Sequence, residues 1–160
     1  MTQKSTKNNT ASPAQERIAL FAGTFDPFTI GHKSIVDRGL KLFDRIIIAV
    51  GVNADKPSGT PTAQRLESIR QAFEPGTPID VISYTDLTAD TARRYGATAL
   101  LRGVRTVADF EYERTLADIN LKVLGIDTVM LAALPELSMV SSSMVRDLRR
   151  HGYDATQFIP

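Results

Sequence analysis

The segment FAGTFDPFTIGH, from Phe21 to His32, combines residue types that suit a phosphate-binding turn. An apolar run ends at Gly23, which permits a tight turn and a close approach of the backbone to a ligand. Pro27 restricts the loop, and Gly31 and His32 open a segment with helical spacing. Unpaired N–H groups at a helix start attract anions, and a histidine there can donate to a phosphate. The alternative is a plain strand–helix turn with a surface histidine.

Three further segments carry cations or hydroxyls. LRGVR places Arg102 and Arg105 three positions apart after an apolar run, and the guanidinium group matches phosphate with two parallel hydrogen bonds. NADKPSGTP is a Gly/Pro loop that contains Lys56, and MVSSSMVR has three hydroxyls at a helix start with Arg146 one turn later. The alternatives are solvated surface cations and serines that only cap a helix, although three serines exceed what one cap requires.

Five short apolar runs must position these residues, and segments with helical periodicity lie between them. Continuous apolar runs of this length are typical of parallel strands that are buried on both faces. The alternation predicts a single doubly wound α/β domain with a five-stranded parallel sheet, in the Rossmann-like class. The predicted strands are Ile18–Ala22, Ile46–Gly51, Ile79–Ser83, Ala99–Leu101 and Thr128–Ala132.

The helix boundaries are predicted from capping residues and glycines. A hydroxyl or a proline marks each start, and a glycine marks each end. The predicted starts are Thr60 followed by Pro61, Thr88, Thr106, and Ser142 or Ser143, and the predicted ends are Gly96, Gly125 and Gly152.

In such a domain, ligands bind at the carboxyl ends of the strands, near a switch in strand order. Glycines, hydroxyls and cations gather in the segments that follow the predicted strands, so we predict phosphate binding there. No Ser–His–Asp order and no carboxylate pair stands out. A phosphomonoester acceptor needs no base, because its second pKa of about 6 leaves it largely ionised at pH 7. The site has only to align donor and acceptor and to stabilise charge on the transferring group.

Composition limits the other possibilities. The chain has 160 residues and a formal net charge of +1, which fits one domain and argues against a nucleic-acid or membrane-surface binder. Absence of cysteine excludes disulfides and thiolate chemistry and fits a cytoplasmic location, and two histidines make a zinc site unexpected. No apolar run approaches the ~20 residues that span a bilayer. The polar residues 1–17 are predicted to be a disordered tail, and residues 18–160 the domain.

Three motifs resemble those of a known family. GTFDPFTIGH resembles the T/HxGH signature of the nucleotidyltransferase superfamily, and LRGVRTVADFEYE and VSSSMVR are similar to motifs of the bacterial phosphopantetheine adenylyltransferase family. The resemblance runs from about Ile18 to Pro160. It implies transfer of the adenylyl group of ATP to 4′-phosphopantetheine, which gives dephospho-coenzyme A and pyrophosphate in coenzyme A biosynthesis. It also implies strand order 3-2-1-4-5, Mg²⁺ held mainly by the ATP phosphates, a homohexamer, and coenzyme A as an inhibitor.

The resemblance also implies roles for individual residues, position by position. His32 would stabilise the transition state, and no residue is implied as a metal ligand. The implied ATP contacts are Thr24, Phe25, His32, Gly103, Val104, Arg105, Glu113, Leu137, Ser138, Met139, Val140, Ser141, Ser142 and Ser143. The implied contacts of the pantetheine phosphate are Thr24, Lys56, Thr88 and Arg102.

Two alternatives stay open at this point. The first is a nicotinate or nicotinamide mononucleotide adenylyltransferase, or another nucleotidyltransferase of the superfamily. Such enzymes usually show HxGH, whereas Thr29 stands at the first position here, which favours the pantetheine enzyme. The second is a nucleotide-binding module without catalysis, which would be expected to lose His32 or the basic residues.

Overall fold

The structure is a computed structural model that describes residues 15–53 and 59–160. Its centre is a sheet of five parallel strands in the order β3-β2-β1-β4-β5, so the predicted α/β class and the implied strand order are confirmed. The strands are β1 Ile18–Gly23, β2 Arg45–Gly51, β3 Ile79–Tyr84, β4 Ala99–Val104 and β5 Asp127–Ala132.

Five α-helices connect and follow the strands in the described ranges. They are α1 Ile30–Gly39, α2 Thr62–Gln71, α3 Thr88–Arg94, α4 Val107–Ile119 and α5 Ser142–Arg150. A π-helical turn, Asn120–Leu124, extends α4, and short 3-10 turns lie at Pro135–Leu137 and Thr156–Phe158. In the part of the chain that is described, no helix combines the length and apolar character needed to cross a membrane.

One predicted helix has both of its predicted boundary residues. The Thr106 hydroxyl caps α4 by accepting the Asp109 N–H at 3.1 Å. The π-helical turn that extends α4 ends at Gly125, whose φ of 67° is left-handed, a conformation that glycine adopts without steric cost. The local signals were therefore sufficient for this helix.

The predicted caps of two other helices were wrong by one residue. Pro61 is the N-cap of α2 in place of Thr60, and Leu87 is the N-cap of α3 in place of Thr88. The Thr88 hydroxyl instead lies 3.0 Å from the Tyr84 hydroxyl. Helix α5 begins at Ser142, as predicted, and Ser141 is its N-cap. Each hydroxyl had more than one partner within reach, and the fold selected between them.

Strands β1 and β2 are buried on both faces, as predicted, whereas the edge strands β3 and β5 are largely half-exposed. Helices α1 and α2 cover one face, and α3 packs against the other. The first face contains Phe21, Ile46, Ile48, Val50, Ile35, Val36 and Ile69, and the second contains Leu20, Ile47, Ala49, Ala89 and Ala92.

The order of the strands places the site. The chain moves from β1 to β2 on one side of the sheet and later returns to β4 on the other side of β1. Phe21 pairs with Leu101 in register, so the carboxyl ends of β1 and β4 lie side by side at this switch in strand order. Segments 23–32 and 102–105 therefore meet where doubly wound domains bind ligands.

The predicted boundary between tail and domain falls at the start of the described residues. Residues 1–14 lie outside them. Ahead of β1, Glu16 pairs with Arg45 at 3.0 Å and Arg17 pairs with Asp44 at 2.8 Å. These exposed pairs join the end of the predicted tail to the start of β2.

Candidate active site

The turn between β1 and α1 places His32 through a reciprocal cap. The Thr29 hydroxyl accepts the His32 backbone N–H at 3.4 Å, and the Thr29 backbone N–H donates to His32 Nδ1 at 3.0 Å. Because Nδ1 accepts this hydrogen bond, the neutral ring carries its proton on Nε2. The turn therefore presents the imidazole as a hydrogen-bond donor through Nε2.

Three phenylalanines surround the imidazole of His32. Phe28 stacks on it with a centroid distance of 5.4 Å, Phe25 meets it edge-on at 5.1 Å, and Phe21 lies at 6.3 Å. Burial, together with the positive charges of Arg105 and Arg102, lowers the pKa of His32 to about 4. The side chain is therefore neutral at pH 7, and it is half-buried among aromatic rings.

The left-handed residue in this turn is Phe25, with φ of 49°, and not Gly23. A Cβ atom at Gly23 would lie 2.8 Å from Phe25 Cε1, so the absent side chain makes room for the ring that packs against His32. The predicted reason for the glycine, freedom to turn, is replaced by close packing. Nothing in the local pattern indicated that a phenylalanine folds back onto this position.

Arg102 on β4 is held by a carboxylate from α4. Its Nε donates to Glu113 Oε2 at 2.7 Å, its Nη2 donates to Glu113 Oε1 at 2.5 Å, and its Nη1 donates to the carbonyl oxygen of Ala22. Glu113 is 7% exposed, and Arg102 is half-buried. Three of the five guanidinium N–H groups are engaged in these bonds, which leaves two for a ligand.

Arg105 follows β4 and is paired with the carboxylate of Asp109, which is more exposed than that of Glu113. Its Nε donates to Asp109 Oδ2 at 3.0 Å, and its backbone N–H donates to the same oxygen at 3.1 Å. Asp109 and Glu113 stand four residues apart on α4, so one helix face supplies a carboxylate to each arginine. Asp109 is not among the predicted site residues, although the i, i+4 spacing of the two acids was a usable signal.

The serines at the start of α5 have three different roles. The Ser141 hydroxyl accepts the Met144 N–H at 3.1 Å, and the Ser142 hydroxyl donates to the carbonyl oxygen of Pro27 at 2.8 Å. The Ser143 hydroxyl accepts from Arg146 Nη2 at 3.2 Å. Arg146 Nη1 also donates to the carbonyl oxygen of Asp26 at 2.5 Å. Ser142 and Arg146 thus fasten α5 to the turn that carries His32.

The starts of α1 and α5 lie close together. A Cβ atom at Gly31 would stand 3.6 Å from the carbonyl oxygen of Val140 and 3.8 Å from its Cβ. Val140 is 4% exposed, so the segment ahead of α5 is packed against the first turn of α1. Two helix N-termini, each with unpaired N–H groups, are thereby brought to the same end of the sheet.

The remaining predicted site residues lie in different environments. Gly103 lies on β4, where a Cβ atom would be 2.9 Å from Ile35 Cγ1, so its small size admits α1. Val104 ends β4, and the Ser138 hydroxyl donates to Pro135. Leu137 ends the 3-10 turn at half burial, Met139 is 71% exposed, and Lys56 lies outside the described residues.

Comparison with known proteins finds relatives over almost the whole chain. A family model described as cytidylyltransferase-like matches residues 20–148. The phosphopantetheine adenylyltransferase of Porphyromonas gingivalis is 49% identical over 146 residues, which cover 91% of this chain and 95% of that protein. The protein of the same name from Bacteroides thetaiotaomicron is 50% identical over 144 residues, which cover 90% of this chain and 95% of that protein.

Solved structures share the fold at much lower identity. A bifunctional NMN adenylyltransferase/ADP ribose pyrophosphatase from Francisella tularensis superposes with a TM-score of 0.66 at 15% identity. The match covers 90% of this chain and 44% of that one, so this chain spans less than half the length of that protein. At this identity the likeness concerns the fold alone.

Proposed function

This chain belongs to the phosphopantetheine adenylyltransferase family, and we propose that its site transfers the adenylyl group of ATP to 4′-phosphopantetheine. An oxygen of the acceptor phosphate bonds to the α-phosphorus of ATP, and the bond from that phosphorus to the oxygen bridging to the β-phosphate breaks. The products are dephospho-coenzyme A and pyrophosphate. The identity to curated relatives over almost the whole chain is the observation that carries this proposal.

His32 is the proposed catalytic residue, acting as a neutral donor. The Thr29 N–H occupies Nδ1, so the proton on Nε2 is directed away from the cap and can reach an oxygen of the α-phosphate. A buried donor aimed at developing charge stabilises the transition state more than the ground state. The lowered pKa favours the neutral imidazole at neutral pH, and the ionised acceptor phosphate requires no base.

The two arginines have separate proposed roles. Arg102 is oriented by Glu113 and keeps two N–H groups for the acceptor phosphate, together with Thr24, Lys56 and Thr88. Arg105 is more exposed, and its carboxylate partner can be exchanged for the β- and γ-phosphates of ATP. The remaining proposed ATP contacts are Thr24, Phe25, Gly103, Val104, Leu137, Ser138, Met139, Val140, Ser141, Ser142 and Ser143, whereas Glu113 is proposed to act through Arg102.

A divalent cation, which we propose to be Mg²⁺, would be held mainly by the ATP phosphates. Within the described ranges, no group of three or more histidine, aspartate or glutamate side chains is arranged to hold a metal ion. The carboxylates nearest the arginines, Asp109 and Glu113, are already hydrogen-bonded to them. This donor set suits an ion that arrives with the nucleotide, where it would neutralise phosphate charge.

We also propose the homohexamer, and exposed apolar side chains on α4 and the π-helical turn support self-association. Six large apolar side chains of this segment are between 46% and 76% exposed, more than an isolated helix of a monomer usually presents. They are Val107, Phe110, Tyr112, Ile119, Leu121 and Val123. We also propose that coenzyme A inhibits the enzyme at the acceptor site. The proposed location is the cytoplasm.

A pyrophosphate-release assay with ATP and Mg²⁺ tests the function. The acceptors are 4′-phosphopantetheine, nicotinamide mononucleotide and nicotinate mononucleotide, each supplied alone and in direct competition. We expect turnover with 4′-phosphopantetheine and formation of dephospho-coenzyme A, identified by mass. Preference for a mononucleotide would contradict the acceptor, and absence of turnover with every acceptor would indicate a nucleotide-binding module.

A further inference from the structure

Arg65 is a buried cation that the chemistry described so far does not use. It lies in the first turns of α2 and is 3% exposed. Its Nη1 donates to the carbonyl oxygen of Thr24 at 2.5 Å and to that of Gly51 at 3.4 Å. Its Nε donates to the carbonyl oxygen of Thr60 at 3.2 Å, and its Nη2 donates to the Thr62 hydroxyl at 3.0 Å. Burying a guanidinium is costly unless its N–H groups are satisfied, so this arrangement is specific.

The contacts of Arg65 join three separate parts of the chain. Thr24 begins the turn after β1, Gly51 ends β2, and Thr60 precedes α2. Thr24 and Arg65 are 41 residues apart in sequence, so the contact depends on the fold. One guanidinium therefore sets the distance between the carboxyl end of β2 and the turn that begins the site.

The side chain of Asp26 connects the same segments a second time, so that the contacts form a closed ring. The Thr60 backbone N–H donates to Asp26 Oδ2 at 3.4 Å, while the Thr60 carbonyl accepts from Arg65. Thr24 and Asp26, the two residues that flank Phe25, are thus both connected through Thr60 and Arg65. Phe25 has a left-handed backbone, which is unfavourable for a residue with a side chain and persists only when its surroundings impose it.

The ring of contacts bears on the imidazole through Phe25. The centroid of the Phe25 ring lies 5.1 Å from that of the His32 ring, which it meets edge-on, and 5.1 Å from that of the Phe21 ring. A change in the Phe25 backbone would move this aromatic wall and would shift Thr24 at the same time. The catalytic donor and the proposed substrate contact at Thr24 thus depend on the same support.

We propose that Arg65 is a positioning residue for adenylyl transfer, which holds the Thr24–Asp26 turn so that Phe25 seats His32. The proposal rests on the proposed function. Arg65 is too deeply buried to meet a phosphate itself, and its partners in the described residues are backbone carbonyls and one hydroxyl. A rigid planar fork can satisfy several acceptors at once, whereas the single ammonium of a lysine cannot reach the same set.

The test compares Arg65→Lys with Arg70→Lys, a matched change at an exposed arginine on the same helix. We expect Arg65→Lys to lower kcat by about 10- to 100-fold, because a small displacement of reacting groups is sufficient for such a loss. The KM for ATP should change by less than about threefold. NMR of histidine-labelled protein should show shifted imidazole resonances for His32. Arg70→Lys should match the wild type in both measurements.

A structural role alone would give a different result. If Arg65→Lys lowers the unfolding temperature but leaves kcat per folded molecule and the His32 resonances unchanged, the proposal is overturned. If Arg65→Lys does not fold, Thr62→Val removes one hydrogen-bond partner and leaves the arginine in place. That variant should reproduce the shift of the His32 resonances with a smaller loss of kcat, and wild-type values for both would overturn the proposal.

Failure of the proposed function would be recognised separately. A wild-type protein without turnover on any acceptor would remove the proposed reaction. The NMR comparison would still report whether Arg65 controls the environment of His32, because it requires no substrate.

Discussion

Arg102 and Glu113 are joined by two parallel hydrogen bonds, of 2.7 Å from Nε to Oε2 and 2.5 Å from Nη2 to Oε1. The carboxylate comes from α4 and the guanidinium from β4, so the pair also connects a helix to the sheet beside the switch in strand order. Both carboxylate oxygens face the arginine. We therefore expect Glu113 to influence the substrates by orienting Arg102.

Glu113→Gln should impair the acceptor more than the nucleotide. A glutamine offers one acceptor and turns an N–H group toward the guanidinium, so Arg102 loses a bond and its fixed orientation. We expect the KM for 4′-phosphopantetheine to rise by about tenfold, equivalent to about 1.4 kcal/mol, while the ATP affinity changes little. Steady-state kinetics with each substrate varied in turn gives both values.

Asp118→Asn is the control for this change, because Asp118 is an exposed acid on the same helix, paired at 4.0 Å with Arg114. It should behave as the wild type. A larger loss of ATP affinity than of acceptor affinity in Glu113→Gln would instead support the direct ATP contact that the resemblance implies.

Arg105→Ala should show the opposite selectivity. Its ion pair with Asp109 is partly exposed, and such pairs contribute little to stability, so the fold should tolerate the change. We expect ATP to bind about ten- to hundredfold more weakly, since a charge-assisted contact with phosphate is lost, and the acceptor to bind normally. Calorimetry with each ligand separately measures the difference. An equal loss for both ligands would contradict the division of roles.

His32→Ala should lower kcat steeply. Loss of one donor to a developing oxyanion typically costs about 2.7–4 kcal/mol, or about 10²–10³ in rate. Stability should also fall, because the ring caps α1 and packs among three phenylalanines. We expect a lower unfolding temperature with a folded spectrum by circular dichroism. Turnover near that of the wild type would defeat the catalytic assignment.

The lowered pKa of His32 predicts a specific dependence of stability on pH. Unfolded histidine titrates near 6.5 and the folded side chain near 4, so the unfolded state binds more protons between these values. The contribution of His32 is fully present above pH 6.5 and is lost as the pH falls toward 4, by about 3 kcal/mol in total. Chemical denaturation at several pH values should show this loss.

His32→Gln serves as the reference, since it removes the titrating group while the other charges remain. Its stability should fall less than that of the wild type over the same pH interval. NMR titration in a His151→Gln background observes His32 alone, and an imidazole that titrates near 6.5 would refute the proposed burial.

Gly23→Ala should disturb the site through packing. The added Cβ would lie 2.8 Å from the Phe25 ring, closer than atoms in a protein can remain, so the ring must move away from its present position. Overpacking of this kind costs about 1–3 kcal/mol. We expect a lower free energy of unfolding together with reduced kcat. Gly59→Ala is the control, because the nearest atom to its Cβ among the described residues would be 3.8 Å away, and equal effects of the two changes would contradict the packing argument.

The amino-acid sequence was sufficient for the elements and for the place of the site. Each strand is a short apolar run, and this local property survives in any arrangement of the chain. The parallel order brings the carboxyl ends together, so His32, Arg102, Arg105 and the serine-rich segment could be selected before any contact was known. The strand order itself came from the resemblance and not from the runs. The capping residues were less secure, because neighbouring hydroxyls such as Thr88 have competing partners.

Tertiary structure decided what the selected side chains do. His32 is half-buried with a lowered pKa because three phenylalanines and two arginines, brought together by the fold, lie near it. Arg102 acquired its orientation from Glu113, which belongs to the next helix. Arg65 had no motif around it, and its link to Thr24 spans 41 residues. The burial, the pKa and the hydrogen-bond partners of these side chains depend on such distant neighbours. The local pattern of residues sets only which residue types stand at the ends of the strands.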